Sequence, residues 1–520
     1  MKSETRCQIE VLAVVVLLGL GFPAPSDVSA QQPTRGGKIT VAVGTDPYSP
    51  GPYVFGGGAG YFVNGNIYNS LLRPDKDGKL VPDLAESYTV TESRIYTFKL
   101  HPGVKFHEGG EATAEDVKWS FDFYMGGKAA ASRGPVLKQL IDKIDVLDKY
   151  TVRITLKEAN ATFLQVIALR EVPIVSKAWV EGGKNYRDTW NGTGPFRMAE
   201  AVRGERYRMV RNDQYFKPGL PYLDEITVKV VSSELTRAEG VRSGQIDIGD
   251  FLPWEQGPAF AGNPKLRMEK GWTVFNAIVL NHSRPPFTDV RVREAVAYAI
   301  DRQSVNLIGH GGLGLPITSG LFQSNSPWFC KDNADMYRSD PAKAKALLKE
   351  AGHPNGITMN LVLAQFQPYL QSFAVVEQNL KEAGINVKVI STDTGGMAEY
   401  RVNGKYDALW TGTVLLYDDP DAYSNFYEST GAFYGRSTGF KDATIDKLFA
   451  DGRRLLREDQ RKPIYCQLEK RALEGAFWVY ITWRPNLFGL RNDLKGFTSM
   501  PGPLQLQTPI LLESAWLEKK

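Results

Sequence analysis

The hydrophobic positions of this chain switch period repeatedly, and each switch predicts an element. Tyr96, Phe98 and Leu100 alternate with Thr97 and Lys99, the period of two that sends successive side chains to opposite faces of a half-buried strand. Lys38–Val43 and Val152–Leu156 carry the same kind of signal. His101-Pro102-Gly103 turns the chain into a second short run, Val104 to Phe106, after which the period lengthens. Val117, Phe121 and Tyr124 recur at helical spacing behind Thr113, an N-cap residue, with Asp116 where its carboxylate meets free backbone N–H groups. Further on, Asp340 caps a helix opened by Pro341 and closed by Gly352, with Ala344, Leu347, Leu348 and Ala351 inward. Thr358–Leu363, a helix presenting Phe373, Val376, Leu380 and Ala383 and ended by Gly384, and then Ile385, Val387 and Val389 predict a strand–helix–strand unit. Short strands, Gly/Pro turns and amphipathic helices alternate from Gly36 onward, so the fold class is α/β.

The first thirty positions follow a different logic. An apolar run, Val11 to Leu20, is followed by Gly21-Phe22-Pro23 and by Val28-Ser29-Ala30, the layout of a secretory signal peptide over residues 1–30 with the mature chain starting at Gln31. That run is too short to span a bilayer and no comparable stretch follows, so a soluble mature protein is expected. Cys7 precedes the run, the wrong order for a lipid-modified mature N-terminus, which favours a free periplasmic protein. Cys330 and Cys466 then meet an oxidising compartment, either as one disulfide or as two separately buried thiols.

Composition narrows the classes. A chain of 520 residues has room for more than one core. Its net charge of +4 is mild, and no dense Lys/Arg cluster interleaves with aromatics, so nucleic acid is not an expected partner. Gly435-Arg436-Ser437-Thr438-Gly439 matches the nucleophile-elbow pattern, but Glu428–Tyr434 reads as loop where a buried strand is required, and the next helix starts only near Asp442. His101, His107, His282, His310 and His353 lack metal-ligand spacing, and Gly56–Gly60 lacks the Lys-Ser/Thr ending of a phosphate loop. No catalytic residue, metal or cofactor is expected, and the chain does not read as an enzyme.

Pro82-Asp83-Leu84-Ala85-Glu86-Ser87-Tyr88 leads through Tyr96–Leu100 and Val104-Lys105-Phe106-His107 to Ala114-Glu115-Asp116-Val117. Further blocks follow in order: Gly192-Thr193-Gly194-Pro195-Phe196, Arg211-Asn212-Asp213 with Tyr215-Phe216, Leu223-Asp224-Glu225-Ile226, Gly244-Gln245-Ile246-Asp247-Ile248, and Pro286-Phe287 with Asp289-Val290-Arg291-Val292-Arg293 through Ala299-Ile300-Asp301-Arg302. Together they resemble the signature of the family 5 extracellular solute-binding proteins, the peptide, opine and nickel receptors of ABC importers. The resemblance implies a two-lobed "Venus flytrap" of the type II-like, cluster C periplasmic binding proteins, with an extra subdomain inserted in the first lobe. By motif, lobe one holds 36–80, 190–285 and 485–520, the inserted subdomain 81–189 and lobe two 286–484, with crossings near 285 and 485 as the hinge. The implied function is a monomeric periplasmic substrate-binding component that captures a peptide or peptide-like solute and delivers it to an inner-membrane ABC permease. The alternative is the same fold holding an opine, an oligosaccharide or a metal chelate, and the distant alternative is a secreted hydrolase using Ser437.

The segment Trp410–Asp421 resembles the family's ligand-contact segment. Peptide-binding members carry an acidic residue shortly after this tryptophan to hold the ligand's α-ammonium, whereas here the spacing to Asp419-Pro420 is longer and Thr413 or Leu416 stands at that position. Two readings stay open. Asp418, flanked by Tyr417 and Asp419, takes over the role, or Asp418 and Asp419 only shape a turn before Pro420. Tyr61, Phe62, Trp254, Trp272, Asn276 and Trp483 complete the expected ligand-binding set, since aromatics supply contact area with few rotors to freeze.

Overall fold

The computed structural model describes residues 32–518 apart from 49–50, 55–56, 128–130, 319, 321, 325, 366, 416 and 430–437. The leader run, Cys7, Ser437 and Leu416 lie outside the described residues.

Local signals build the outer elements where the periodicities put them. Lys38–Val43 is a strand with Ile39, Val41, Ala42 and Val43 buried. Ile95–Leu100 and Thr151–Leu156 are neighbours in a four-stranded antiparallel sheet ordered Ala85–Thr91, Ile95–Leu100, Thr151–Leu156, Ile141–Asp148. Tyr96, Phe98 and Leu100 face its core while Lys99 is exposed. The helix Ala114–Met125 packs on this sheet through Val117, Phe121 and Tyr124. Its start is held by Asp116, whose carboxylate accepts from the Thr113 N–H at 3.0 Å and the Thr113 hydroxyl at 2.9 Å. The run Val104–Phe106 differs from expectation, forming a single bridge between Lys105 and Glu111 instead of a strand. Gly103, Gly109 and Gly110 all sit at positive φ, so the segment is consumed by turns.

An eleven-stranded sheet forms the body of the molecule. At one end Lys38–Val43 pairs in parallel with Glu225–Val230 and with Ile248–Gly249. At the other, Ile357–Ala364 pairs in parallel with Ile385–Thr392 and Ala408–Val414, which is the expected strand–helix–strand unit with Gln367–Glu382 as its helix. Two long antiparallel strands, Leu266–Leu280 and Trp478–Arg491, join these ends. At about 3.3 Å per residue each is roughly 45–50 Å long, so that Val274–Leu280 pairs with Ala408–Val414 on one side while Gly489 and Leu490 pair with Ile248–Gly249 on the other. Their pairing slips between Gly271 and Val274 and again between Asn276 and Ala277. The first slip falls opposite Pro485, which lies between the paired residues Arg484 and Asn486 and has no N–H to give the ladder. Cys330 and Cys466 form a disulfide with Cα atoms 5.5 Å apart, which resolves the two readings left open above.

Candidate ligand cleft

The strand Ala408–Val414 runs into the Leu415–Asp419 loop and then a turn of 3-10 helix, Pro420–Tyr423. Three aspartates in four positions crowd this loop, and the fold treats each differently. Asp419 caps the short helix by accepting from the Asp421 N–H at 2.9 Å, and its two oxygens receive Arg461 at 2.6 and 2.7 Å. Asp421 receives Arg453 Nε at 2.6 Å, and the same guanidinium grips Glu428 with both terminal nitrogens at 2.7 and 2.9 Å. Burial still pushes the Asp421 carboxyl up to about 6, with Arg453 opposing. Asp418 has no ion pair among the described residues and keeps an exposed surface. Crowding by the surrounding protein, with Asp419 adding to it, pushes its carboxyl above the usual range.

Three cavities open along this loop. Asp418 lines one of about 110 Å³ with Trp483, Phe322, Gln323, Leu415 and Pro503. It also lines a second, of about 130 Å³, with Tyr417, Gln165, Leu80, Leu504 and Gln507. Tyr417 continues into a third of about 170 Å³, walled by Arg133, Val166, Asp421, Glu428 and Arg453. The walls are drawn from segments far apart in the chain, around residues 74–80, 133–168, 322–327, 415–428 and 501–507, which is what a cleft between chain regions requires. Gln165 Oε1 is buried there without a donor among the described residues. The Asp418 carboxylate and Gln165 Oε1 thus present acceptors, and no donor, to the same cavity. A larger cavity of about 470 Å³ lies elsewhere, around Asp247 and Lys265, and its Arg491 and Lys495 are already paired with Asp247 at 2.7 Å and Glu518 at 3.3 Å.

Of the expected ligand-binding residues, Tyr417, Asp418 and Trp483 meet at these cavities. The placement of Trp410 is corrected: it is fully buried and stands edge-on to Phe373 with ring centroids 5.4 Å apart, because its side of the strand faces the helix Gln367–Glu382. Asp419 is likewise corrected, its carboxylate being committed to Arg461. Phe62 packs in the core against Phe488, and Tyr61 donates to Glu171 Oε1 at 2.8 Å. Trp254 stands edge-on to His310 at 5.3 Å, Asn276 donates to Ser372 Oγ at 3.3 Å, and Trp272 donates to the Leu313 carbonyl at 2.9 Å. None of these seven lines the three cavities. The sequence reading missed Arg133, Gln165 and the run Pro501–Leu504. A Pro/Gly-rich apolar run without charge near a chain end was the available signal for the last, and the structure turns it into the start of a buried 3-10 helix, Gly502–Ser514.

The fold, a mixed sheet traversed by two long strands, is shared with periplasmic binding proteins of known structure. The chain belongs to the bacterial extracellular solute-binding proteins, family 5, whose model (family 5 Middle) matches residues 79–435. It is 29% identical over 484 residues to the glutathione-binding protein GsiB of Pectobacterium atrosepticum, covering 89% of this chain and 92% of that one. The glutathione-binding protein GsiB of Escherichia coli K12 is 31% identical over 422 residues, covering 79% and 77%. Among solved structures, the binding protein AgaA of A. tumefaciens R10 in complex with agropinic acid matches with a TM-score of 0.84 at 31% identity, covering 93% of this chain and 99% of that one. These relatives are substrate-binding transport proteins, and the chain is accordingly the substrate-binding component of an ABC importer. No helix among the described residues is long and apolar enough to cross a membrane.

Proposed function

We propose that the chain acts in the periplasm as a monomer, after loss of residues 1–30, capturing a peptide-like solute and passing it to an inner-membrane permease without chemical change. The observation that carries the ligand class is the contrast within one loop: Asp419 and Asp421 are matched by arginines, and Asp418 is left over at a cavity wall. A carboxylate that the crowding protein already disfavours gains from a ligand ammonium, which restores the lost solvation. Glutathione binding by the GsiB relatives supports this reading, since that tripeptide carries one ammonium group. Agropinic acid binding by AgaA supports the opine alternative, in which the ligand is an acid held in the same cleft. The lobes are taken as 36–80 with 190–285 and 485–520, 81–189 as the inserted subdomain, and 286–484. The slips near Gly271 and Pro485 support a hinge in the two traversing strands, displaced toward lobe one from the crossing expected near 285.

Native mass spectrometry of protein purified without refolding, followed by calorimetric titration with the mass-identified compound, tests the reading. A retained amine-bearing acid that binds with micromolar or tighter affinity and shrinks the radius of gyration in small-angle scattering is the expected result. A neutral retained ligand, or an unchanged scattering curve at saturation, overturns it.

A further inference from the structure

The cleft holds a second unmatched charge, of the opposite sign. Arg133 lines the 170 Å³ cavity and is half-buried, and no carboxylate lies within ion-pair distance of it among the described residues. Its Nε is shut off from solvent without a partner there. Leaving a guanidinium nitrogen dry and unbonded costs free energy that a native fold ordinarily avoids by supplying an acceptor. The two acids in the same cavity do not supply it: Asp421 and Glu428 both converge on Arg453, whose three nitrogens reach them at 2.6, 2.7 and 2.9 Å. Arg133 is nevertheless near enough for its charge to act on the phenols of Tyr61 and Tyr417, and Tyr417 is the wall shared with the cavity of Asp418.

Building on the reading of Asp418 above, we infer that Arg133 is a specificity-determining residue that receives a carboxylate of the ligand, so that the cleft selects solutes carrying an acid group at the end away from Asp418. The charge balance of the walls sets the kind of acid. With Asp421, Glu428 and Arg453 locked together, the cavity offers, among the described residues, one free cation beside a cluster that is itself not positive, and Asp418 adds a free anion next door. Such a lining accepts an amino-acid-derived solute with separated ammonium and carboxylate groups and discriminates against compact polyanions, which would bring a second negative charge up to Glu428. A planar guanidinium also favours a carboxylate over a lone hydroxyl, because it grips both oxygens at once.

The test uses the mature chain and its Arg133→Gln and Arg133→Lys variants, titrated calorimetrically with reduced glutathione, glutathione dimethyl ester, agropinic acid and maltotriose. Thermal melts confirm that the variants fold. Expected is that glutathione or agropinic acid binds the wild type and that Arg133→Gln weakens it roughly tenfold to a hundredfold, the range for a lost charge-assisted hydrogen bond. Arg133→Lys should lose less, because the point charge survives without the fork. The dimethyl ester should bind the wild type as weakly as glutathione binds Arg133→Gln and lose nothing further on that variant. Binding of either acid with unchanged affinity in Arg133→Gln overturns this role for Arg133 and leaves the ligand class standing. Binding of maltotriose alone overturns the acid specificity but not the import role. Failure of both acids to bind the wild type overturns the ligand class proposed above, and this inference falls with it.

Discussion

Two regions of the molecule concentrate buried charge, and they do so to different ends. Around Asp83 every charged side chain has an ion-pair partner. Arg170 reaches it at 2.8 Å, Lys217 at 2.8 Å, and Arg73 and Lys217 continue to Glu513 at 2.8 and 3.1 Å. Both Asp83 oxygens also accept from the Asn69 side chain at 3.0 Å. Burial works against ionisation here, but the three cations overcome it and hold the Asp83 carboxyl well below its usual range. In the Tyr417–Asp421 loop the books do not balance in the same way: two acids are matched, and Asp418 on one side and Arg133 on the other are left over. The ion pairs around Asp83 tie residues 69–83, 170, 217 and 513 into one piece of fold, whereas a carboxylate and a guanidinium at cavity walls, without ion pairs among the described residues, are, on the function proposed above, available to a solute.

The contrast breaks if removing a charge from either region has the same consequence. Asp83→Asn leaves Arg170 buried without its counter-ion and Lys217 with Glu513 alone, and should lower the unfolding free energy by about 3–5 kcal/mol, read from urea denaturation. Because its folded pKa is depressed, the Asp83 contribution is present above pH 4 and is lost as pH falls below it, so the difference between wild type and variant should narrow in acid. Asp419→Asn should approach the same loss by stranding Arg461, which is nearly fully buried. A loss under about 1 kcal/mol in either variant would remove the distinction between structural and available charge.

Asp418→Asn should behave in the opposite manner. Stability should hold or rise slightly, since a carboxylate disfavoured by the crowding protein and by Asp419 is replaced by a neutral amide. Affinity for an amine-bearing ligand should fall by about 1.5–3 kcal/mol, measured by titration. Wild-type affinity in Asp418→Asn would show that the residue only shapes the turn before Pro420 and would move the ligand toward solutes held by stacking and neutral hydrogen bonds.

What was legible in the sequence was local. Alternation at Tyr96–Leu100, the Thr113 and Asp340 caps and the successive strand and helix periods of the unit at 357–392 are patterns within short stretches of chain, and the structure keeps them. The traversing strand Trp478–Arg491 was not legible because thirteen of its fourteen residues are buried, on both faces, so no alternation marks it. The motif marks Trp410–Asp421 as the candidate ligand-contact segment, but which of its acids is free depends on Arg453 and Arg461, supplied by helices some thirty to forty residues away and invisible to spacing. Trp410 illustrates the same limit, since the parity of the strand, not the motif, decides that it faces Phe373. The disulfide partners stand 136 residues apart and were left as one of two readings for that reason.

Asp83 keeps its charge because cations surround it, and Asp418 keeps a costly one at a cavity; His282 shows the remaining course, which is to give the charge up. Its ring stacks on Phe477 at 4.9 Å and meets Phe440 edge-on at 5.9 Å. Burial, with the Arg293 charge adding to it and the Phe477 carbonyl opposing, pushes the imidazole down to about 3. A base whose folded pKa is depressed is neutral in the fold while the unfolded chain binds a proton below about pH 6.5, so stability falls as pH drops from 6.5 toward 3. The slope from one such group is at most about 1.4 kcal/mol per pH unit. The wild-type profile alone does not isolate it, because Asp421, pushed up to about 6, and Asp250, pushed up to about 7, bind protons in the fold and favour it as pH falls through the same window. The measurement is therefore a difference. His282→Phe, which keeps the aromatic contacts and removes the titration, should gain stability relative to wild type progressively between pH 6.5 and 3.5 in urea melts, with no change in the difference between pH 7 and 8. A pH-independent difference would mean that His282 is charged in the fold, and the rule that unmatched buried groups here either face a cavity or go neutral would fail at its simplest case.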